Sequence, residues 1–187
     1  MLATIEALPA IHTENGTATG ITGNLSVGDV DDALIESATV TISNNYTAGE
    51  DLLSFVAQPG IAGSFANGVL TLTGSATLAE YESVIHSVKY SNSSENPSAA
   101  TRTVEIRVND GDVDSNVLSR DVEVIPVNDV PVVSGVETAS LQYQENSGAA
   151  AVSSTLVLSD IDDASLNGAT VQVGGYVNGE DLSLIHI

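Results

Sequence analysis

The chain has no cysteine and no tryptophan, two phenylalanines, and only four lysines and arginines against 25 aspartates and glutamates. Without cysteine, no disulfide can staple the fold and no thiolate can act as a nucleophile. So few cations exclude the phosphate contacts that nucleic acid requires, and they disfavour an anionic membrane surface as a partner. No apolar run approaches the ~20 residues that span a bilayer, so direct membrane insertion is not expected. The start, Met1-Leu2-Ala3-Thr4-Ile5-Glu6, lacks the basic and apolar regions of a signal peptide, so any export signal is expected outside this segment. Catalytic patterns are also missing: no Gly-x-Ser-x-Gly elbow, no phosphate-cradling glycine loop and no histidine pair at zinc spacing. A carboxylate pair for glycoside hydrolysis would need an aromatic-lined cleft, for which the residues are scarce. The chain is therefore not expected to be an enzyme.

What remains is apolar and acidic. Hydrophobic residues make up 42% of the 187, enough for a packed core. The formal net charge is −21, which makes a compact fold repel itself unless cations neutralise it. Adaptation to high salt also produces acidic chains, but it does not predict acid pairs in register, and those are present here.

The sequence repeats. Glu14-Asn15 matches Glu145-Asn146 at an offset of 131 residues. The same offset aligns Asp29-Val30-Asp31-Asp32 with Asp160-Ile161-Asp162-Asp163, and Ala38-Thr39-Val40 with Ala169-Thr170-Val171. After a one-residue deletion, Gly49-Glu50-Asp51 aligns with Gly179-Glu180-Asp181. The repeating unit is thus about one domain long. The expected organisation is a complete repeat over 1–127, a linker over 128–133 and a truncated second repeat over 134–187. Leu182-Ser183-Leu184-Ile185-His186-Ile187 resembles the translation of a transposase sequencing adapter, so this tail is expected to be a library artefact.

The first copy has the alternation of β-strands. Val104, Ile106 and Val108 face one side, with Thr103, Glu105 and Arg107 on the other. Thr39–Ile42, Val69–Leu72, Ser87–Tyr90 and Asp121–Val124 repeat the pattern, punctuated by Gly, Asn, Asp and Ser clusters. These runs predict an all-β antiparallel sandwich. Residues 77–85 are the exception: Leu78, Tyr81, Val84 and Ile85 have helical spacing, which predicts one short helix crossing between sheets. His12 aligns with Tyr143 and is expected to fill a half-buried strand position; His86 is expected on a strand edge.

Asp29-x-Asp31-Asp32 and its copy Asp160-x-Asp162-Asp163 are candidate calcium ligands, because calcium takes six to eight hard oxygen donors. An extended Asp-x-Asp places both carboxylates on one side, where they repel unless a divalent cation lies between them. Val30, between them, is expected to anchor the loop on the core. Strand direction puts Asp110, Asp112 and Asp114, in the last hairpin loop, at the same end as Asp29 and Asp31. Asp and Asn also populate turns by bonding their own backbone, so the Asp110-Gly111 turn carries both readings. Glu50, Asp51 and Asp181 recur too, with a turn role as the simpler account.

Glu14-Asn15, Asp29-x-Asp31 and Asn128-Asp129-x-Pro131, in this order and repeated, resemble cadherin-type repeats, and more closely the cadherin-like repeats of large bacterial surface adhesins of the repeats-in-toxin type. Ser91–Pro97 and Val108–Gly111 are similar to that bacterial group as well. The resemblance implies a cadherin- or immunoglobulin-like sandwich with calcium at the joints, rigidifying a secreted or cell-surface rod that supports adhesion. It implies that Glu14 and Glu145 are early glutamates of the calcium set, and that Asn128-Asp129 is the linker pair preceding Asp160-x-Asp162. The Asp-Arg-Glu motif of cadherins has no copy here, and the Asn92–Asn96 loop stands in its place as a possible source of oxygens. Calcium, neighbouring repeats and other cell-surface proteins or glycans are the implied partners. A sandwich that binds glycan or protein through its own faces is the alternative.

Overall fold

The alternation over residues 103–108 becomes a strand buried at every second position. In this computed structural model, which describes residues 1–175, 177 and 178, the run extends over Arg102–Asn109 with Arg102, Val104, Ile106 and Val108 inside. In chain order the elements are β1 (Leu2–Ala3), β2 (Ala10–Thr13), β3 (Thr19–Gly20), β4 (Ser26–Val27), β5 (Leu34–Asn44), β6 (Asp51–Ser54) and β7 (Ala62–Ala66). There follow β8 (Val69–Thr77), α1 (Leu78–His86), β9 (Lys89–Asn92), β10 (Arg102–Asn109), β11 (Leu118–Ile125), β12 (Val132–Ser134) and β13 (Val157–Ser159). Among the described residues the fold is all-β, with strands in several sheets and one short helix. The chain divides into two units, Met1–Asp129 and Val130–Ile187.

In the first unit, six strands form one sheet in the order β2-β11-β10-β5-β8-β7, and three form another in the order β3-β9-β6. Every pair in both sheets is antiparallel except β11–β2, which is parallel. One buried cluster takes Val40, Leu72, Ile106 and Val122 from the larger sheet, Leu53 and Tyr90 from the smaller, and Tyr81, Val84 and Ile85 from α1. Each such side chain contributes about 1.5–3 kcal/mol by leaving water.

The helix forms where its periodicity predicts. Thr77 caps it: its hydroxyl accepts the Glu80 amide at 3.3 Å, and Glu80 Oε2 accepts the Thr77 amide at 2.8 Å. The Thr77 hydroxyl, which also donates to Glu80 Oε2 at 2.7 Å, and then the Thr77 amide hold the Glu80 carboxyl below its ordinary pKa. α1 follows β8 of the larger sheet and precedes β9 of the smaller, so it carries the chain from one sheet to the other. Inside it, the Tyr81 hydroxyl donates to Gly74 O at 2.7 Å, and burial pushes the phenol up to about 12. His86 is the last residue of α1 rather than a strand-edge residue; its Nε2 lies 2.7 Å from Leu25 O. His12 is deeper than expected, at 1% exposure.

In the second unit, β12 pairs with β13 through Val132↔Ser159, Val133↔Leu158 and Ser134↔Val157. Shifted by 131 residues, the last two are the β1–β4 pairs Leu2↔Val27 and Ala3↔Ser26 of the first unit. The Ser154 amide bonds Glu137 Oε1 at 2.8 Å, as the Gly23 amide bonds Glu6 Oε1 at 2.8 Å, again 131 residues apart. Asn146 holds φ 63° where Asn15 holds φ 58°. The burial differs: Leu2 and Val27 are buried, whereas Val133 and Leu158 are 59% and 46% exposed. The presumed adapter tail and the Gly179-Glu180-Asp181 match lie outside the described residues.

Candidate metal centres

Two groups of carboxylates converge in the first unit, at opposite ends of the β5–β10 pair. The first forms because β2 and β11 run parallel, so both finish at the same edge: Val124 pairs with His12 and Ile125 with Thr13. The next residue, Glu14, donates its amide to Ile125 O at 2.9 Å. Its Oε2 accepts the Val127 amide at 2.6 Å. The residue is only 5% exposed, and its Oε1 is buried with no hydrogen-bond partner. Glu95, from the loop after β9, and Asp129 each bring a carboxylate oxygen to Glu14, all within 4.8 Å of one another. Asn15, in the left-handed region at φ 58°, donates Nδ2 to Glu95 Oε2 at 3.0 Å.

An unpartnered buried carboxylate oxygen beside two further carboxylates is costly unless something positive meets it. Three carboxylates supply at least three hard oxygens, half or nearly half of a calcium shell of six to eight. Glu95 is the member that residue-by-residue reading did not single out. The sequence signal for it is the Asn92–Asn96 loop, whose place in the chain points to oxygens without singling out Glu95. Asn128, by contrast, is exposed and bonds Asp129 O through its Nδ2.

The second group forms because β5 starts where the antiparallel β10 ends, with Ser37 opposite Asn109. Asp29, Asp32 and Asp110 each bring an oxygen within 4.8 Å of the others. The local backbone is a turn and not the extended Asp-x-Asp anticipated. Asp29 Oδ1 accepts the amides of Asp31 and Asp32, both at 3.2 Å. These two bonds, that of Asp32 first, hold Asp29 below its ordinary pKa. Asp110 is lowered likewise by the amides of Val113 and Asp112. Asp32 is raised, by desolvation first and then by the charge of Asp110.

The turn has two further consequences. Asp31 is not part of the converging group; its position in the bend turns the middle residue outward, and Val30 is 98% exposed instead of anchored on the core. Asp112 also stays outside the group, and Asp114 is engaged elsewhere, with Arg107 Nη1 at 3.0 Å and Asn109 Nδ2 at 2.8 Å.

In the second unit, Asp160 Oδ1 accepts the amides of Asp162 and Asp163, both at 3.0 Å, the same turn as at Asp29. Glu145 is exposed there. Among the described residues no other acidic or histidine group converges as these two do.

A shallow cavity of about 300 Å³ opens elsewhere on the first unit, lined by Tyr46, Glu50, Leu52, Phe65 and Asn92 among others. No described helix is long and apolar enough to cross a membrane. No protein-family model matches the chain, and comparison with curated proteins and with solved structures likewise gives no match.

Proposed function

We propose that this chain is a calcium-binding structural repeat of a large secreted or cell-surface adhesin. One complete cadherin-like β-sandwich, a linker and part of a second repeat make up the segment, and calcium at the joints between repeats stiffens the rod. The role is that of a spacer, not a catalyst. The observation that carries the reading is Glu14: a carboxylate 5% exposed, one oxygen unpartnered, held beside Glu95 and Asp129. A metal dication is the simplest group that satisfies it, and all-oxygen donors favour a hard ion such as calcium.

The tandem reading is supported by local structure as well as by letters. The strand pairing, the Glu6 and Glu137 bonds and the Asp29 and Asp160 turns recur at one offset. The sandwich reading is supported by a single core shared by both sheets.

A glycan- or protein-binding sandwich is the second reading, and the cavity beside Tyr46 and Phe65 favours it. Its polar groups are mostly committed to each other: Asn92 Nδ2 bonds Asp51 and Ser93 Oγ bonds the carbonyls of Gly49 and Glu50. That leaves few groups for a sugar, and the spacer reading stands first.

Thermal melting of the chain in calcium and in chelator tests the proposal. A ligand that binds only the folded form at about 100 times its Kd adds about 2.7 kcal/mol. Equal midpoints in the two buffers would overturn it.

A further inference from the structure

Glu95 belongs to the loop of residues 93–101, which is exposed for most of its length, yet the site needs its carboxylate in a fixed place. The loop belongs to neither sheet; its outermost residues are held by the Ser93 amide on Glu50 O at 3.1 Å and by Asn45 Nδ2 on Thr101 O at 2.8 Å, and beneath both its ends lies Asp51. We infer that the buried carboxylate of Asp51 is a positioning residue for the Glu14–Glu95–Asp129 site, clamping the loop that carries Glu95. The inference rests on the reading of that site as a calcium site.

Asp51 opens β6 opposite Asn92, the last residue of β9, and is 3% exposed. Its Oδ1 accepts the Tyr90 hydroxyl and Asn92 Nδ2, the latter at 2.7 Å. Its Oδ2 accepts the Thr47 amide at 2.7 Å and Arg102 Nε at 3.3 Å. With four donors the carboxylate is saturated, so it has nothing left for a metal of its own.

Two of those four donors are the residues that flank the loop. On the near side, Asn92 turns its Oδ1 to the Ser94 amide at 2.9 Å. On the far side, Arg102, fully buried, sends Nη1 to Ser98 O at 2.5 Å and Ala100 O at 2.7 Å. Glu95 lies between these anchors, three residues after Asn92 and three before Ser98. One buried charge thus fixes both ends of an exposed loop through one amide and one guanidinium. Residues that orient metal ligands from behind change affinity without touching the ion.

Two measurements on the full chain test this: hydrogen exchange of residues 93–101 in chelator, and calcium titration by calorimetry. The variants are Asn92→Ala, Asp51→Asn, Glu95→Gln and the pair Asn92→Ala with Glu95→Gln. Asn92 is only partly buried, so its variant carries the test should Asp51→Asn fail to fold. The expected result is faster exchange across the loop and about tenfold weaker calcium binding in Asn92→Ala. The affinity loss should vanish in the Glu95→Gln background, an outcome that a merely structural residue would not give. Unchanged loop exchange, or an equal affinity loss with and without Glu95, overturns the inference while leaving the calcium site standing. No calcium uptake by the unmodified chain overturns the site reading, and the inference with it.

Discussion

Glu14 Oε2 accepts the Val127 amide at 2.6 Å, and that single bond ties the end of β2 to the segment leaving β11. It also commits one oxygen and leaves the other buried and unmet. In Glu14→Gln the amide oxygen can keep the Val127 bond, while the new NH₂ can donate towards Glu95 or Asp129. The variant should therefore gain about 1 kcal/mol of stability in chelator, by relieving an unsatisfied polar atom. It should lose the stabilisation that calcium adds, and bind calcium more weakly by more than the about tenfold typical of a supporting residue. Denaturant melts in the two buffers check this; a variant that keeps the full calcium increment would show that Glu14 is not a ligand.

The Asp51–Arg102 pair should be costly to break from either side. Both side chains are fully buried, 3.3 Å apart. Arg102→Met leaves the Asp51 carboxylate without its counter-charge and frees the Ser98 and Ala100 carbonyls. Losing one member of a buried ion pair typically costs about 3–5 kcal/mol. Urea unfolding with an unchanged slope and a lowered midpoint is the expected outcome. A loss below about 1 kcal/mol would mean water replaces the guanidinium.

Acid sensitivity should trace in part to His12. Its Nε2 accepts the Asn92 amide at 3.3 Å, and Thr19 Oγ1, 3.4 Å from Nδ1, already donates to Ile11 O, which places the proton on Nδ1. Burial, foremost, pushes the imidazole pKa below its ordinary value. A group whose pKa is lowered by folding takes up its proton first in the unfolded chain. Stability is then intact above about pH 6.5 and falls as the pH drops below it. The stability gap between the natural chain and His12→Gln, melted in chelator, should be constant above that pH and shift in favour of the variant below it. Parallel curves through the acid range would remove His12 from the account.

The strands and the helix were legible because burial here follows simple periods: alternation in Val104, Ile106 and Val108, helical spacing in Tyr81, Val84 and Ile85. The acid pairs were legible because they recur in register. Which carboxylates converge was less so. Letters do not reveal that β2 runs parallel to β11, which is what brings Glu14 to Val127. Nor do they separate Asp29 and Asp32, whose carboxylates converge with Asp110, from Asp31, which lies beside them but outside that group. Asp51 looked like a turn residue beside Glu50; only the buried Arg102, Tyr90 and Asn92 around it reveal a hub.

Gly74 offers a test of how tightly the first unit is built. It holds φ 139°, and a Cβ there would sit 1.9 Å from the Gly60 carbonyl oxygen. Its own carbonyl accepts the Tyr81 hydroxyl, so backbone movement at this point is transmitted to α1. Gly74→Ala combines backbone strain with a main-chain clash that no rotamer relieves, and should cost about 3 kcal/mol or more. Gly20 makes the contrast. It lies in β3 with nothing within 4 Å of an added Cβ. Gly20→Ala should leave stability unchanged or raise it by about 0.4–1 kcal/mol, by restricting the unfolded chain. Equal effects at the two glycines, measured by denaturant midpoint, would mean that the β8 backbone yields more readily than its packing against Gly60 implies.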